Sequence, residues 1–285
     1  MVTEKSRSIW KSWWVLGAVI LLIVGVVQIA RPRPDPLVFV VLPAEVEERT
    51  AEQFAPLVDY LSVGLGREVK LMTVADYAAV VVALEYGHAD IARMSPGSYI
   101  GAVDDLGLEI DPIASGIKKE TGESYYYSYI ITKADSGITD LNGASFAFVS
   151  VGSTSGHLIP SVYILEEGIE LGKVVYSESH PAVIEAVRNG TIDAGCIASN
   201  RWFAAIDAGI IDEDTFTILW QSDPIPNVPI VVQRSMDSDL KAKLTTLFLD
   251  APLDIVESMG VNEMGYEPIA DSDYDVLRAA LALKE

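Results

Sequence analysis

Short apolar strands alternate with amphipathic helices along most of this chain, and this alternation constrains the fold more than any other feature. The first series runs strand, helix, strand, helix, strand over residues 37–94. A β-α-β-α-β order is typical of a parallel sheet covered by its crossover helices. A second series begins with an apolar strand at 145–151 and reaches its last strand at 215–220. The sequence therefore predicts an α/β fold with two lobes.

Hydrophobic periodicity places the individual elements. The predicted strands lie at 37–42, 69–74, 89–94, 110–117, 125–132, 145–151, 174–177, 192–198, 215–220 and 230–233, and the predicted helices at 46–65, 76–86, 157–167, 181–188, 201–208, 238–249 and 274–283, with a further short helix after Tyr99. Two stretches, 125–132 and 226–233, carry the chain from one lobe to the other and back. We therefore predict one lobe from 37–128 together with 230–285, a second lobe from 129–229, and a separate segment at 1–36.

Polar turns follow several of the predicted strands. Since ligands of open α/β sheets bind at the carboxyl ends of strands, a cleft between the lobes is the expected binding site. The turns that fall at such positions are Pro43, Asp76-Tyr77, Ser95–Tyr99, Ser153–Ser155, Ser179-His180, Ser199-Asn200 and Asp223.

The turn with the most chemical content is GSTSG at 152–156, which carries three consecutive hydroxyls, Ser153, Thr154 and Ser155. A hydroxyl at a helix start commonly caps the free N–H groups of the first turn. The same N–H groups, the positive end of the helix dipole and three hydroxyl donors also form a cradle for an anion. Capping and anion binding are both open from this turn alone.

Residues 13–30, WWVLGAVILLIVGVVQIA, form an uncharged apolar stretch after Lys5, Arg7 and Lys11. A membrane anchor needs about 17–25 apolar residues. A cleaved signal peptide needs a small-x-small site, and Gln28-Ile29-Ala30 fits that pattern poorly. We expect either an uncleaved transmembrane helix or a cleaved signal. Both place residues 37–285 outside the cytoplasmic membrane, in the periplasm or at the cell surface, since the basic residues stay inside.

Composition excludes several classes of protein. The net charge of −21 argues against nucleic-acid binding and favours a soluble monomer. Cys196 is the only cysteine, and the three histidines lack metal-ligand spacing, so we expect no metal and no cofactor. The GSTSG turn has threonine where a nucleophile elbow has serine, and no Gly-Lys-Ser/Thr follows it as in a Walker A loop. An enzyme is therefore not expected.

Several runs resemble one family, the phosphonate, phosphite and phosphate-binding proteins of ABC importers, which are type II periplasmic binding proteins. The matching runs, between about residues 37 and 250, include SPGSYIGA, YYYSYIITKADSGITDLNG, FAFVSVGSTSGHLIPSVYIL, SESHPAVIEAVRNGTIDAG and WQSDPIPNVPIVV. The resemblance implies a two-lobed fold with two hinge strands, a small phosphorus oxyanion as ligand, and an ABC permease as partner.

Carried over by position, the resemblance implies a ligand site with contributions from both lobes. Tyr77 and Tyr99 would direct their phenols at the oxyanion from the first lobe. The second lobe would supply hydroxyls, a histidine and an acceptor for a protonated ligand oxygen or an ammonium group. These residues are Ser153, Thr154, Ser155, His180 and Asp223.

Two departures from the family pattern bear on the ligand. Ser95 precedes Pro96 where glycine is common, which alters one wall of the site. Ser199-Asn200 are neutral where aminophosphonate binders can carry an acidic residue, and this favours phosphite, phosphate or a small alkylphosphonate. Whether Arg93, His157, Ser199 or Asn200 touches the ligand stays open. The alternatives to transport are a membrane-tethered sensor that reports ligand to a signalling partner and, less favoured, a phosphate-ester hydrolase.

Overall fold

The computed structural model describes residues 35–42 and 47–284. The chain separates into two units, Met1–Asp35 and Pro36–Glu285, and the fold described below belongs to the second. The stretch at 13–30 that predicts a membrane anchor lies outside the described residues, as does Pro43. Within the described part of the chain, none of the helices has the length and apolar character to span a membrane.

The elements follow one another in a β/α order along the described chain. The strands are β1 (Leu37–Val41), β2 (Val69–Thr73), β3 (Ile91–Arg93), β4 (Ile110–Lys118), β5 (Tyr125–Tyr126), β6 (Ser128–Lys133), β7 (Phe146–Phe148), β8 (Val174–Tyr176), β9 (Ala194–Ala198), β10 (Phe216–Gln221), β11 (Ile225–Pro226), β12 (Pro229–Gln233) and β13 (Glu263–Glu267). The α-helices are α1 (Glu47–Leu65), α2 (Tyr77–Glu85), α3 (Pro96–Ile100), α4 (Ile159–Glu166), α5 (His180–Arg188), α6 (Ser199–Asp207), α7 (Ser238–Leu249), α8 (Leu253–Ser258) and α9 (Asp275–Leu281).

Two sheets organise these elements into two lobes. Lobe 1 is built on a six-stranded sheet in the order β13-β4-β12-β3-β1-β2, and lobe 2 on a five-stranded sheet in the order β10-β6-β9-β7-β8. In lobe 1, β1 pairs in parallel with β2 and β3. In lobe 2, β7 pairs in parallel with β8 and β9. Parallel strands need crossover connections, and α1, α2, α4 and α5 supply them, as the sequence predicts.

The chain crosses between the lobes at β5 and again at β11, and these two strands pair with each other in an antiparallel ladder. The single strand predicted at 125–132 is interrupted at Tyr127, so that β5 belongs to the crossing and β6 to the sheet of lobe 2. A break at this point lets the same run of residues join two different ladders.

Each lobe has its own apolar core. In lobe 1, Phe39 lies against Phe54 and Phe248 with ring centroids 6.3 Å and 6.1 Å apart. In lobe 2, Trp202 and Phe216 pack edge to face at 5.4 Å. Each fully buried large apolar side chain contributes about 1.5–3 kcal/mol relative to exposure. The remaining interior surface is shared, since one apolar cluster joins side chains of both lobes.

The predicted helices and strands in the described residues are present, with ends that differ by up to a few residues. The periodicity of the sequence does not predict α8 or β13, and the structure contains both. β13 forms an edge of the lobe 1 sheet and carries the buried Glu263, which bears on the site described below.

Candidate functional site

A cavity of about 450 Å³ lies where strands of both sheets end. Five of its wall segments follow directly on the carboxyl ends of β2, β3, β7, β8 and β9, which is the position expected from the polar turns. Its volume falls in the range of about 300–1,000 Å³ that is usual for small-molecule sites. The lining residues are Leu42, 73–77, 93–95, Tyr126, 149–150, 153–155, 178–180, 198, 200–201 and 227–228.

The hydroxyl turn of lobe 2 forms one wall. Ser153, Thr154 and Ser155 are each buried, with at most 2% of the residue exposed. Ser153 caps the following turn, since its Oγ accepts from Gly156 N at 3.0 Å. The chain then makes a π-helical turn, Thr154–Leu158, before α4 begins. Hydroxyls and free N–H groups at a helix start favour an anion, so this wall combines capping with an anion cradle.

Two phenols face the same cavity. Tyr77 begins α2, where the Asp76 carboxylate caps the helix by accepting from Ala79 N at 2.8 Å. Burial raises the pKa of Tyr77, although a hydrogen bond with Ser153 opposes this. Burial also raises the pKa of Tyr126, against hydrogen bonds with Ser155 and Thr154. Both phenols are therefore neutral O–H groups near neutral pH, as a donor to an oxyanion must be.

His180 is held as a neutral donor. Its Nδ1 accepts from the backbone N–H of Ala198 at 3.2 Å, so this nitrogen carries no proton. Burial lowers the pKa of His180 to about 3, and the nearby Arg201 acts in the same direction. The imidazole is thus neutral with its proton on Nε2, which leaves an N–H group that can donate to a ligand oxygen.

Two arginines also line the cavity. Arg93 ends β3, and its Nη2 lies 2.7 Å from Glu263 Oε1 on β13. The alternation of β3 leaves its direction open, and the structure places it in the cavity wall. Arg201 lies in the first turn of α6, and its charge acts on both His180 and Tyr77. Among the lining residues the carboxylates are those of Asp76 and Glu178, and both residues are exposed.

The two lobes touch beside the cavity. Ser95 and Ser98, at the start of α3, direct their hydroxyls at the Gly152 carbonyl oxygen, at 3.0 Å and 3.2 Å. The backbone N–H of Gly97 donates to Thr154 Oγ1 at 2.8 Å. The same hydroxyl also has a side-chain hydrogen bond with Tyr126, so Thr154 contacts lobe 1 and a phenol of the cavity wall. We call these contacts between 95–98 and 152–154 the lobe clasp.

Five of the seven predicted site residues line this cavity: Tyr77, Ser153, Thr154, Ser155 and His180. Tyr99 does not, although the resemblance implies that its phenol faces the ligand. It is 1% exposed, and its hydroxyl donates to Asp271 Oδ1 at 2.6 Å. Its ring packs against Tyr274 with centroids 5.0 Å apart. The C-terminal segment therefore draws this phenol into the interior of lobe 1.

Asp223 is also placed outside the cavity. It is exposed in the turn between β10 and β11 and lines a separate depression together with Glu267 and Asp273. The carboxylate that the resemblance implies for a protonated ligand oxygen or an ammonium group is therefore not in the wall of the cavity.

Of the residues left open by the sequence, Arg93 and Asn200 line the cavity and two others do not. His157 Nδ1 lies 2.9 Å from Val151 O, and its Nε2 lies 3.1 Å from Tyr176 Oη. The Ser199 hydroxyl oxygen accepts from Tyr127 N at 3.0 Å. Both side chains are thus committed to structural contacts.

Several polar residues of the lining are not among the seven predicted site residues, and these include four whose side chains can donate a hydrogen bond to a ligand. Their signals were weak: Tyr126 lies in a run of three tyrosines, and Asn227 lies between two prolines in the crossing to lobe 1. In the sequence, Ser95 is one of the polar turn residues and a departure that alters one wall of the site, and Arg201 is only the first residue of a predicted helix. The four residues are Ser95, Tyr126, Arg201 and Asn227.

Comparison with known proteins identifies the family of this chain. The family described as "ABC transporter, phosphonate, periplasmic substrate-binding protein" matches residues 39–274. The phosphate-import protein PhnD of Mycolicibacterium smegmatis is 28% identical over 272 residues, covering 86% of this chain and 84% of that protein. The phosphonates-binding periplasmic protein of Escherichia coli is 23% identical, covering 87% and 76%.

Among solved structures, PhnD1 from Prochlorococcus marinus in complex with methylphosphonate has the same fold, with a TM-score of 0.77 and 19% identity, covering 87% of this chain and 97% of that one. Proteins of the matched family bind a substrate for a transporter and are not enzymes. Since the family match spans nearly the whole of the two lobes, the chain belongs to the family of periplasmic substrate-binding proteins of phosphonate ABC transporters.

Proposed function

We propose that this chain captures a phosphorus oxyanion without a positively charged tail, namely phosphate, phosphite or a small alkylphosphonate, and delivers it to an ABC permease. The observation that carries the proposal is the composition of the cavity lining. Hydroxyls, phenols, a neutral imidazole and two arginines converge on it from both lobes, whereas its two carboxylate residues are exposed. Such a site presents donors to an oxyanion from every side.

That the ligand has no positively charged tail is inferred from the residues at the end of β9. An ammonium group removed from water needs a carboxylate partner, because burying it unpaired is costly. In the described lining, the residues that follow β9 are Asn200 and Arg201, which are neutral and cationic. The other carboxylate expected from sequence, Asp223, lies elsewhere. At the end of β9 an aminoalkyl tail would therefore meet a cation, and the two carboxylates of the lining, Asp76 and Glu178, are exposed. The phosphate-import relative of M. smegmatis agrees with a ligand of the simpler kind.

The clasp explains how binding can be coupled to closure. Thr154 contacts lobe 1 through its oxygen and also lines the cavity, so that a bound oxyanion and the contact between the lobes support each other. In this proposal the closed form is the one that a permease recognises.

A thermal-shift series on the purified full chain tests the ligand class. A ligand bound only by the folded form increases the free energy of unfolding by RT ln(1 + [L]/Kd) and so raises the melting temperature. Phosphate, phosphite and methylphosphonate are expected to raise it, and aminoethylphosphonate and sulfate are the comparison ligands. Stabilisation by aminoethylphosphonate above all others would contradict the absence of a tail site, and no response to any phosphorus oxyanion would contradict the function.

The remaining features of the proposal concern location and assembly. We propose that residues 1–36 hold or once held the chain at the outer face of the cytoplasmic membrane, that the lobes comprise 37–128 with 230–285 and 129–229, and that the protein is a monomer that does not bind nucleic acid. Membrane fractionation combined with the intact mass of the mature chain distinguishes an uncleaved anchor from a cleaved signal. A mature protein that is intracellular would contradict the location.

A further inference from the structure

A buried group of charges holds Arg93 in the wall of the cavity. Oε1 of Glu263 lies 2.7 Å from Arg93 Nη2 and 2.8 Å from Lys118 Nζ. The same oxygen accepts from Asn227 Nδ2 at 3.2 Å. The side chains of Lys118 and Glu263 are at most 1% exposed, whereas Arg93 is 12% exposed. Of the two cations, Arg93 is the one that reaches the cavity lining.

The lobe 1 sheet builds this group through its register. Lys118 on β4 and Glu263 on β13 are direct cross-strand partners, and Arg93 ends β3 in the same sheet. The carboxylate lies over Gly116, where a Cβ atom would come within 2.2 Å of the carboxyl carbon of Glu263. A glycine at 116 is therefore required for the carboxylate to reach both cations.

The charges of this group do not cancel. Although burial opposes it, Arg93 and Lys118 lower the pKa of Glu263 to about 2, so the carboxylate is ionised. The guanidinium of Arg93 is charged at all working pH values. Burial lowers the pKa of Lys118, while Glu263 acts in the opposite direction. The 2.8 Å contact with Glu263 Oε1 favours the protonated form of Lys118, and this group of three residues then carries a net positive charge beside the cavity. Glu120 is a further carboxylate near Lys118, and burial raises the pKa of Glu120 although Lys118 opposes this.

We infer that Arg93 is a specificity-determining residue, kept effective by Lys118, through which the cavity selects the dianion of a phosphorus oxyanion over the monoanion. The inference rests on the proposed function. Hydroxyls, phenols and His180 hold ligand oxygens in either ionisation state, so they discriminate little by charge. A cation does discriminate: at about 10 Å and an effective dielectric constant of about 20, one unit of charge changes affinity about tenfold for each ligand charge.

Other charged or titratable groups face the same cavity. Tyr77, Tyr126 and His180 are neutral across the range from pH 5 to 8, because burial raises the pKa of the two phenols and lowers that of His180 to about 3. Arg201 adds a second cation to the lining, and the exposed Asp76 and Glu178 add two carboxylates. These lining groups are common to wild type and Lys118→Met. Glu120 and Tyr266 are not among the lining residues but act on Lys118 and Arg93, and sulfate measured at both pH values corrects for any change in their titration.

The test compares phosphate affinity by calorimetry at about pH 5.5 and about pH 8, on either side of the second ionisation of a phosphoryl group. Lys118→Met removes the buried charge without touching the ligand. Lys119→Met is the matched control, because Lys119 is the adjacent residue, is 42% exposed and pairs with Glu257 at the surface. Sulfate, which is dianionic at both pH values, controls for titration of the protein.

Wild type is expected to bind phosphate more tightly at the higher pH. In Lys118→Met this increase should be about tenfold smaller, with sulfate weakened equally at both pH values, and Lys119→Met should match wild type. If Lys118→Met does not fold, Arg93→Gln keeps an amide donor toward Glu263 and should show the same loss. An unchanged pH ratio in either folded variant would overturn the inference. Failure of wild type to bind phosphate at either pH would instead overturn the proposed function, and the inference with it.

Discussion

Gly152 lies where the lobes meet and where no side chain fits. A Cβ atom at this position would come within 2.6 Å of Tyr77 Cβ and 3.2 Å of its Cγ. Carbon atoms in contact are normally about 3.5–4.0 Å apart. Because Tyr77 Cβ is attached directly to the backbone of α2, rotation of the side chain cannot relieve the overlap. In Gly152→Ala the backbone of one lobe must therefore move away by about 1 Å.

That movement acts on the whole lobe clasp. The three contacts, from Ser95 and Ser98 to the Gly152 oxygen and from Gly97 to Thr154, measure 3.0, 3.2 and 2.8 Å. A displacement of about 1 Å takes them to about 4 Å, beyond hydrogen-bond distance. At about 0.5–1.5 kcal/mol each, their loss makes closure about 1.5–4.5 kcal/mol less favourable. If binding requires closure, phosphate affinity falls about 10- to 1,000-fold.

Calorimetry with phosphate measures the loss, and small-angle X-ray scattering with and without saturating phosphate measures compaction. Gly101→Ala is the matched control, because its Cβ atom would meet only the flexible Asp105 carboxylate at 3.4 Å. Its affinity should stay within about twofold of wild type. Wild-type affinity and wild-type compaction in a folded Gly152→Ala would refute the argument that close approach at this glycine is needed for binding.

Three further predictions address individual side chains. Tyr126→Phe should weaken phosphate binding about tenfold by calorimetry, whereas Tyr99→Phe should lower the melting temperature and leave the affinity within about twofold, since its hydroxyl donates to Asp271; equal losses of affinity would contradict the placement of Tyr99. Asn200→Glu should raise the affinity for aminoethylphosphonate relative to phosphate at least about tenfold, and an unchanged ratio would show that this position does not face the ligand's substituent. Burial and Arg201 lower the pKa of His180 from an ordinary value of 6.5 to about 3, so the unfolded chain takes up this proton first. Stability should then fall by about 1.4 kcal/mol per pH unit as the pH drops from 6.5 toward 3, a contribution that urea unfolding of His180→Gln should lack.

The elements that sequence predicts best are those whose periodicity is set locally. β1 and β7 are apolar runs that are largely buried, and α1 has a regular apolar stripe that ends at glycines. Each of these elements can therefore be predicted without knowledge of its neighbours. β13 has the opposite character. Its sequence, Glu-Met-Gly-Tyr-Glu, begins with a glutamate that is 1% exposed. A charged residue buried in a strand makes sense only once Arg93 and Lys118, 170 and 145 residues away, are known to be its partners.

The site shows the same division. The hydroxyl turn and His180 follow directly from strand ends, so their convergence on one cavity is predictable from chain order and the rule that ligands bind at carboxyl ends. The direction of the Tyr99 side chain cannot be predicted in this way, because its hydrogen-bond partner Asp271 lies 172 residues further along the chain. The expected position of Asp223 differs from the observed one for a local reason. A turn between two strands can direct a carboxylate toward the cavity or away from it, and the residue type does not determine which.

The overall charge of the chain and the charges beside its cavity affect an anionic ligand differently. A net charge of −21 spread over the surface repels an approaching anion, but salt screens such charges beyond about 8–10 Å under ordinary conditions. Arg93 and Lys118 are buried, where screening is weaker and a single charge counts for more. A strongly acidic surface is therefore compatible with anion binding in the cavity. In the proposed site, affinity for an anion would depend instead on a few buried charges and on oriented neutral donors.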